Sequence, residues 1–87
     1  MKFYGILATG RRGSMVEKNY VNYAKELSSA KYLLDSISIK KLASLCKTPS
    51  GVVSEVSHSD RVRVFEITED DKTLLLIISI EELETID

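Results

Sequence analysis

Apolar residues recur at several different spacings along this chain, and each spacing predicts an element. From Lys2 to Thr9, Phe3, Tyr4, Ile6 and Leu7 are β-compatible and predict a short strand, weakened at Gly5. Gly10-Arg-Arg-Gly13 reads as a turn, solvated or contacting phosphate. Beyond it, Val16, Tyr20, Tyr23, Leu27, Ala30 and Leu34 return at steps of four and three, one face of a helix. Ser14 and Glu17 form an S-x-x-E capping box at its start. Ser28-Ser29 is a point where the segment could divide into two helices. Nearly three heptad-like repeats leave room for a partner helix. Helical spacing favours packing for the tyrosines, and stacking on bases is their functional alternative.

Asp35 to Ser38 is a connection, with Ile37 a candidate for a very short strand. Ser38 is a good N-cap for a helix whose apolar face is Ile39, Leu42, Ala43 and Cys46. Thr48-Pro49 opens a further segment, because proline is favoured at the first helical position. A helix from there carries Val52, Val53 and Val56 inward. A strand instead alternates Val52, Ser54, Val56 and His58 against Val53, Glu55 and Ser57. Period alone leaves both open.

Asp60 to Ile80 predicts a β-hairpin. Arg61 to Thr68 is rich in β-branched residues, Glu69-Asp-Asp-Lys72 is a polar turn, and Thr73 to Ile80 is nearly continuous apolar sequence. Such a run is expected of a strand covered on both faces. Arg61 and Arg63 share a face with Phe65 and Ile67, while Val62 and Val64 point the other way. Glu81 to Asp87 is an acidic tail or a last short helix.

Composition adds bounds. Eighty-seven residues make one domain, 44% hydrophobic and 29% charged, as expected of a soluble globular chain. The longest apolar run, Leu74 to Ile78, is far too short to span a membrane. Arg11-Arg12 follows the first apolar stretch instead of preceding it, so no signal peptide is expected. The lone Cys46 excludes an internal disulfide and fits a reducing cytoplasmic setting. One cysteine and one histidine cannot build a zinc site without carboxylates, so neither a metal nor a cofactor is expected. The net charge of -1 hides an asymmetry. Residues 1–50 carry nine Lys/Arg against three Asp/Glu, net +6, and residues 51–87 carry three against ten, net -7. A basic half suits phosphates, and an acidic half beside it suits another partner or an internal complement.

Residues Ser38 to His58 resemble the helix-turn-helix of bacterial and phage repressors, particularly the lactose-repressor type. Ser38-Ile39 matches the start of that pattern, Leu42-Ala43 its apolar-alanine pair, Cys46 the next buried position, and Val53, Ser54 and Val56 its V-S-x-V. Lys47 stands where glycine is usual and Thr48 where an apolar residue is usual. With the hairpin at 60–80 as wing, the resemblance implies a winged helix-turn-helix of α/β (α+β) class. It also implies a small transcriptional regulator, dimeric and not an enzyme, binding duplex DNA. Ser50, Gly51, Ser54, Glu55 and His58 would then read bases, and Ser38, Lys40 and Lys47 would contact phosphates. The second helix of that reading lacks Arg and Lys, and the wing tip Glu69-Asp70-Asp71 is acidic. Both features suit the protein-binding use of winged-helix domains. The chain is also similar in element order to RelE-like mRNA endonucleases, a βααβββ arrangement that implies phosphate-contacting roles for Arg61 and Arg63. The acidic EELETID end lacks the catalytic basic or aromatic residues of that family.

Overall fold

The computed structural model of the chain describes residues 1–38, 41 and 51–85. Among them the elements are β1 (Lys2–Arg12), β2 (Met15–Ala24), α1 (Leu27–Asp35), β3 (Val52–His58), β4 (Val62–Glu69) and β5 (Lys72–Glu84). The strands form one antiparallel sheet in the order β2-β1-β5-β4-β3. Among the described residues the fold is therefore mostly β, with α1 on one face. This overturns the winged helix-turn-helix and its α/β class, and also the RelE-like βααβββ order.

The largest departure is β2, which occupies sequence expected to be helical. The chain reverses at Gly13-Ser14, where Gly13 has φ +60° and Arg12 lies opposite Met15. A two-residue turn with glycine first matches the twist of the strands it joins. Ser14 is a turn residue here, not a helix cap, and Arg11-Arg12 belong to β1. Ile6 faces Asn22 while Leu7 faces Tyr20, so Val21 is an extra residue in β2, a β-bulge. The bulge brings Tyr20 and Tyr23 onto the same face, three residues apart, where an unbroken strand would separate them. A bulged strand thus reproduced the three-and-four spacing of a helix.

Only the end of the expected stripe is helical. Ala30 and Leu34 of α1 are buried against the sheet, and Ser28-Ser29 lie within the helix without breaking it. Ala30 and Leu34 belong to one buried cluster with Ile6 and Ala8 of β1, Phe65 and Ile67 of β4, and Leu74, Leu76 and Ile78 of β5. Phe65, Ile6, Leu34, Ile67 and Ile78 are fully buried, each stabilising the fold by about 1.5–3 kcal/mol.

The expected hairpin between Asp60 and Ile80 is present as β4 and β5, but at the centre of the sheet, not as a wing. Its turn is Asp70-Asp71, with φ 49° and 64°, closed by Glu69 opposite Lys72. Both central residues are left-handed, as a type I′ turn requires, and aspartate tolerates that conformation better than most side chains. Glu81–Glu84 continue β5 and pair with Lys2–Gly5, forming neither a tail nor a helix. Val52–His58 is an edge strand, so the expected recognition helix is absent there. Val52 and Val53 join the β4 ladder, and Val56 is the extra residue between Glu55 and Ser57. The helix expected over 39–47 lies outside the described residues except at Lys41. The Lys41 amide donates to Ser38 Oγ at 3.2 Å, the bond made by an N-cap serine. Among the described residues no helix is long and apolar enough to cross a membrane.

Candidate functional site

Two regions draw polar or aromatic side chains together. The first lies where the C-terminus of α1 meets β3 and β4. Arg63 points from β4 under the helix and is only 8% exposed. Its Nη1 donates to the carbonyls of Leu34 (3.0 Å) and Asp35 (3.2 Å), occupying acceptors that the helix end leaves free. Its Nε and Nη2 both donate to Glu55 Oε2, at 3.0 Å for Nε, and its guanidinium carbon lies 4.9 Å from the centre of the Phe65 ring. The other Glu55 oxygen is 2.9 Å from His58 Nδ1, and His58 Nε2 is 3.1 Å from Asp35 Oδ1. Carboxylates only accept, so the set is complete when both ring nitrogens carry protons. The chain Asp35–His58–Glu55–Arg63 ties the helix end to the edge strand. A shallow cleft of about 290 Å³ beside it is lined by Tyr32, Asp35, His58 and the Lys31–Asp60 ion pair, 3.0 Å long. The Asp60 carboxyl is held below its ordinary value, first by its hydrogen bond to Lys31 and then by that charge.

This arrangement is a structural clamp. Four of the five Arg63 N–H donors are committed within the chain and the side chain is buried, which argues against the phosphate-contacting role expected of it. Asp35 and Glu55 approach opposite nitrogens of one ring and do not converge on a point. Among the described residues no group of three metal-ligating side chains is found.

The second region is the sheet face away from α1. The ladder registers place Phe3, Gly5, Leu7, Thr9 and Arg11 of β1 there. Beside them stand Leu75, Ile77, Ser79, Glu81 and Leu83 of β5, and Val62, Val64, Glu66 and Thr68 of β4. Among the described residues no element packs over this face. At its β1–β2 side, Tyr20 and Tyr23 stack with centroids 5.5 Å apart, and Phe3 lies 6.0 Å from Tyr23. Tyr20 lies directly over Gly5. A Cβ at Gly5 would stand 2.7 Å from two atoms of the Tyr20 ring, so only glycine leaves the tyrosine room. The two rings remain 41% and 54% exposed.

The described residues among those expected to bind DNA do not form a common surface. Glu55 and His58 meet in the clamp, on the helix side. Ser54 projects from β3 on the opposite face, opposite Glu66. Gly51 immediately precedes β3, and Ser38 caps toward Lys41. Lys40, Lys47 and Ser50 lie outside the described residues. Arg61 is exposed in the turn before β4, apart from Arg63. The open face itself was half visible in the sequence: the alternate residues Val62 and Val64, with Leu75 and Ile77 of the unbroken Leu74–Ile78 run, are its centre. Comparison with protein-family models, with curated proteins and with solved structures found no match to this chain.

Proposed function

We propose that this chain is a small protein-binding module that presents the open sheet face to a partner protein. The observation that carries this reading is the Leu74–Ile78 run. Leu74, Leu76 and Ile78 are buried on the α1 side of the sheet, while Leu75 and Ile77 point from the same strand to a face that nothing described covers. An apolar sheet centre bordered by Phe3, Tyr20 and Tyr23 has the composition of an interface core. Its charges are balanced: Arg11 and Lys18 on the face are matched by Glu66 and Glu81. A surface that tracks nucleic acid needs an excess of positive charge, so the balance favours protein over DNA or RNA. The single Cys46 supports a cytoplasmic setting.

The test has two arms. Random duplex and single-stranded oligonucleotides are titrated at several salt concentrations while tyrosine fluorescence is read, tryptophan being absent. No salt-sensitive binding is expected, and quenching that weakens with salt would overturn the proposal. A photoreactive residue in place of Ile77 is expected to give a discrete protein adduct, and one in place of exposed Ser28 none. Equal adducts from both positions would count against the face.

A further inference from the structure

We infer that the open face docks a second copy of this chain, sheet on sheet, about a two-fold axis along β5, with Arg11 of each copy meeting Glu66 of the other. This rests on the protein-binding reading above and names the partner. The register carries it. Arg11 lies opposite Leu75, and Leu75 lies opposite Glu66. The three residues therefore share one rung of the ladder, with the cation about 4.8 Å to one side of Leu75 and the carboxylate about 4.8 Å to the other. Among the described residues neither charge has an ion-pair partner within its own chain. A two-fold axis along β5 exchanges left and right, so β1 of one copy covers β4 of the other at the same height. Arg11 then lies over Glu66 twice, once in each direction. Packed sheets stand about 10 Å apart, a gap these two side chains span from opposite sides.

The adjoining rung, Thr9, Ile77 and Val64, brings neutral and apolar side chains to the same axis. Lys18, opposite Thr9, falls on the outer strand over the β3 of the second copy, near Ser57. Glu81 is the one like charge near the axis. Aligned sheets cross at about 30°, so with the crossing at Leu75–Ile77 the two Glu81 side chains are carried apart toward the rim. A face five strands wide and about 25 Å long buries roughly 1,200 Å² over two copies, at the lower edge of stable interfaces. The docking also completes the pattern of β5, whose continuous apolar run is that of a strand covered on both sides. The contact is isologous and closes on itself, so it yields a dimer and not a filament.

Sedimentation equilibrium on the full chain tests this. The wild type is expected to show a monomer–dimer equilibrium, and Ile77→Lys to be monomeric with an unchanged circular dichroism spectrum. Arg11→Glu and Glu66→Arg should each weaken the dimer about tenfold, because every reversal disturbs two pairs. Combining them should restore it to within a few-fold of wild type. These two exposed positions keep the test open if Ile77→Lys fails to fold. A wild type that is monomeric at every concentration overturns the dimer, and so does a double reversal no better than either single one. A dimer indifferent to all these changes would be paired through the edges of β2 or β3 and would equally overturn it. Monomeric protein that still gives the Ile77-specific adduct leaves the protein-binding reading standing, whereas salt-sensitive oligonucleotide binding removes both.

Discussion

Leu75 and Leu76 are adjacent, carry the same side chain and sit in the same strand, yet they occupy two different environments. Leu76 is buried on the α1 side in one cluster with Phe65, Ala8 and Ile78, and Leu75 lies on the open face between Arg11 and Glu66. The helix side holds the buried hydrophobic cluster and the Arg63 clamp. The other side is as apolar at its centre and has no cover of its own among the described residues. Fold stability is thus concentrated on one side of a single sheet, and the chemistry left for recognition on the other.

The sharpest way to break this comparison is to truncate both leucines. Leu76→Ala should destabilise the protein by about 2–5 kcal/mol and Leu75→Ala by about 1 kcal/mol or less, measured by urea unfolding at dilute concentration. Equal costs would mean that the two faces are equally packed. Next is Arg63→Met, expected to cost about 2–4 kcal/mol by leaving Glu55 and two helix carbonyls without their donor. Adding Glu55→Gln should recover part of that loss, and strict additivity would show that the clamp is not a unit. Gly5→Ala probes the open face and should cost about 1 kcal/mol by displacing the Tyr20 ring. Loss of the near-ultraviolet tyrosine dichroism should accompany it. Asp71→Gly, at a left-handed position of the central turn, should stabilise the fold by about 0.5 kcal/mol. The smallest effect belongs to the exposed Lys31–Asp60 pair. Because the Asp60 carboxyl is depressed below 3.8, its contribution is present above that pH and is lost as pH falls through its folded value. Asp60→Asn should therefore differ slightly from wild type near neutral pH, less so in high salt, and coincide with it in acid.

The two halves of the chain differ in how readable they were. The β4–β5 hairpin was legible because β-branched residues flank a polar turn of suitable length. The strand β2 was not, for a physical reason: the bulge at Val21 puts Tyr20 and Tyr23 on one face three residues apart, a spacing that also belongs to helices. Gly13-Ser14 was the competing signal, a glycine-first hairpin turn, and it was masked by the capping box that Ser14 forms on paper with Glu17. The match of Val53, Ser54 and Val56 to a repressor helix failed because three valines in seven residues also suit an edge strand, and β4 offered an edge to pair with. The clamp was out of reach of any local reading. Asp35, Glu55, His58 and Arg63 come from three elements, and only the ladder register brings them together.

The pairing of β1 with β5 has a consequence for how the molecule is made. Ile6 faces Ile80 and Ala8 faces Ile78, and the Thr85 amide donates to the Met1 carbonyl at 3.0 Å, so the earliest strand completes its ladder with the latest. During synthesis the β1–β2 hairpin and α1 emerge first and wait, with Ile6, Ala30 and Leu34 exposed, until β5 leaves the ribosome. Long-range pairing of this kind slows folding, and it defers the commitment to the native state until β5 has been made, the same strand whose outer face is left for a partner.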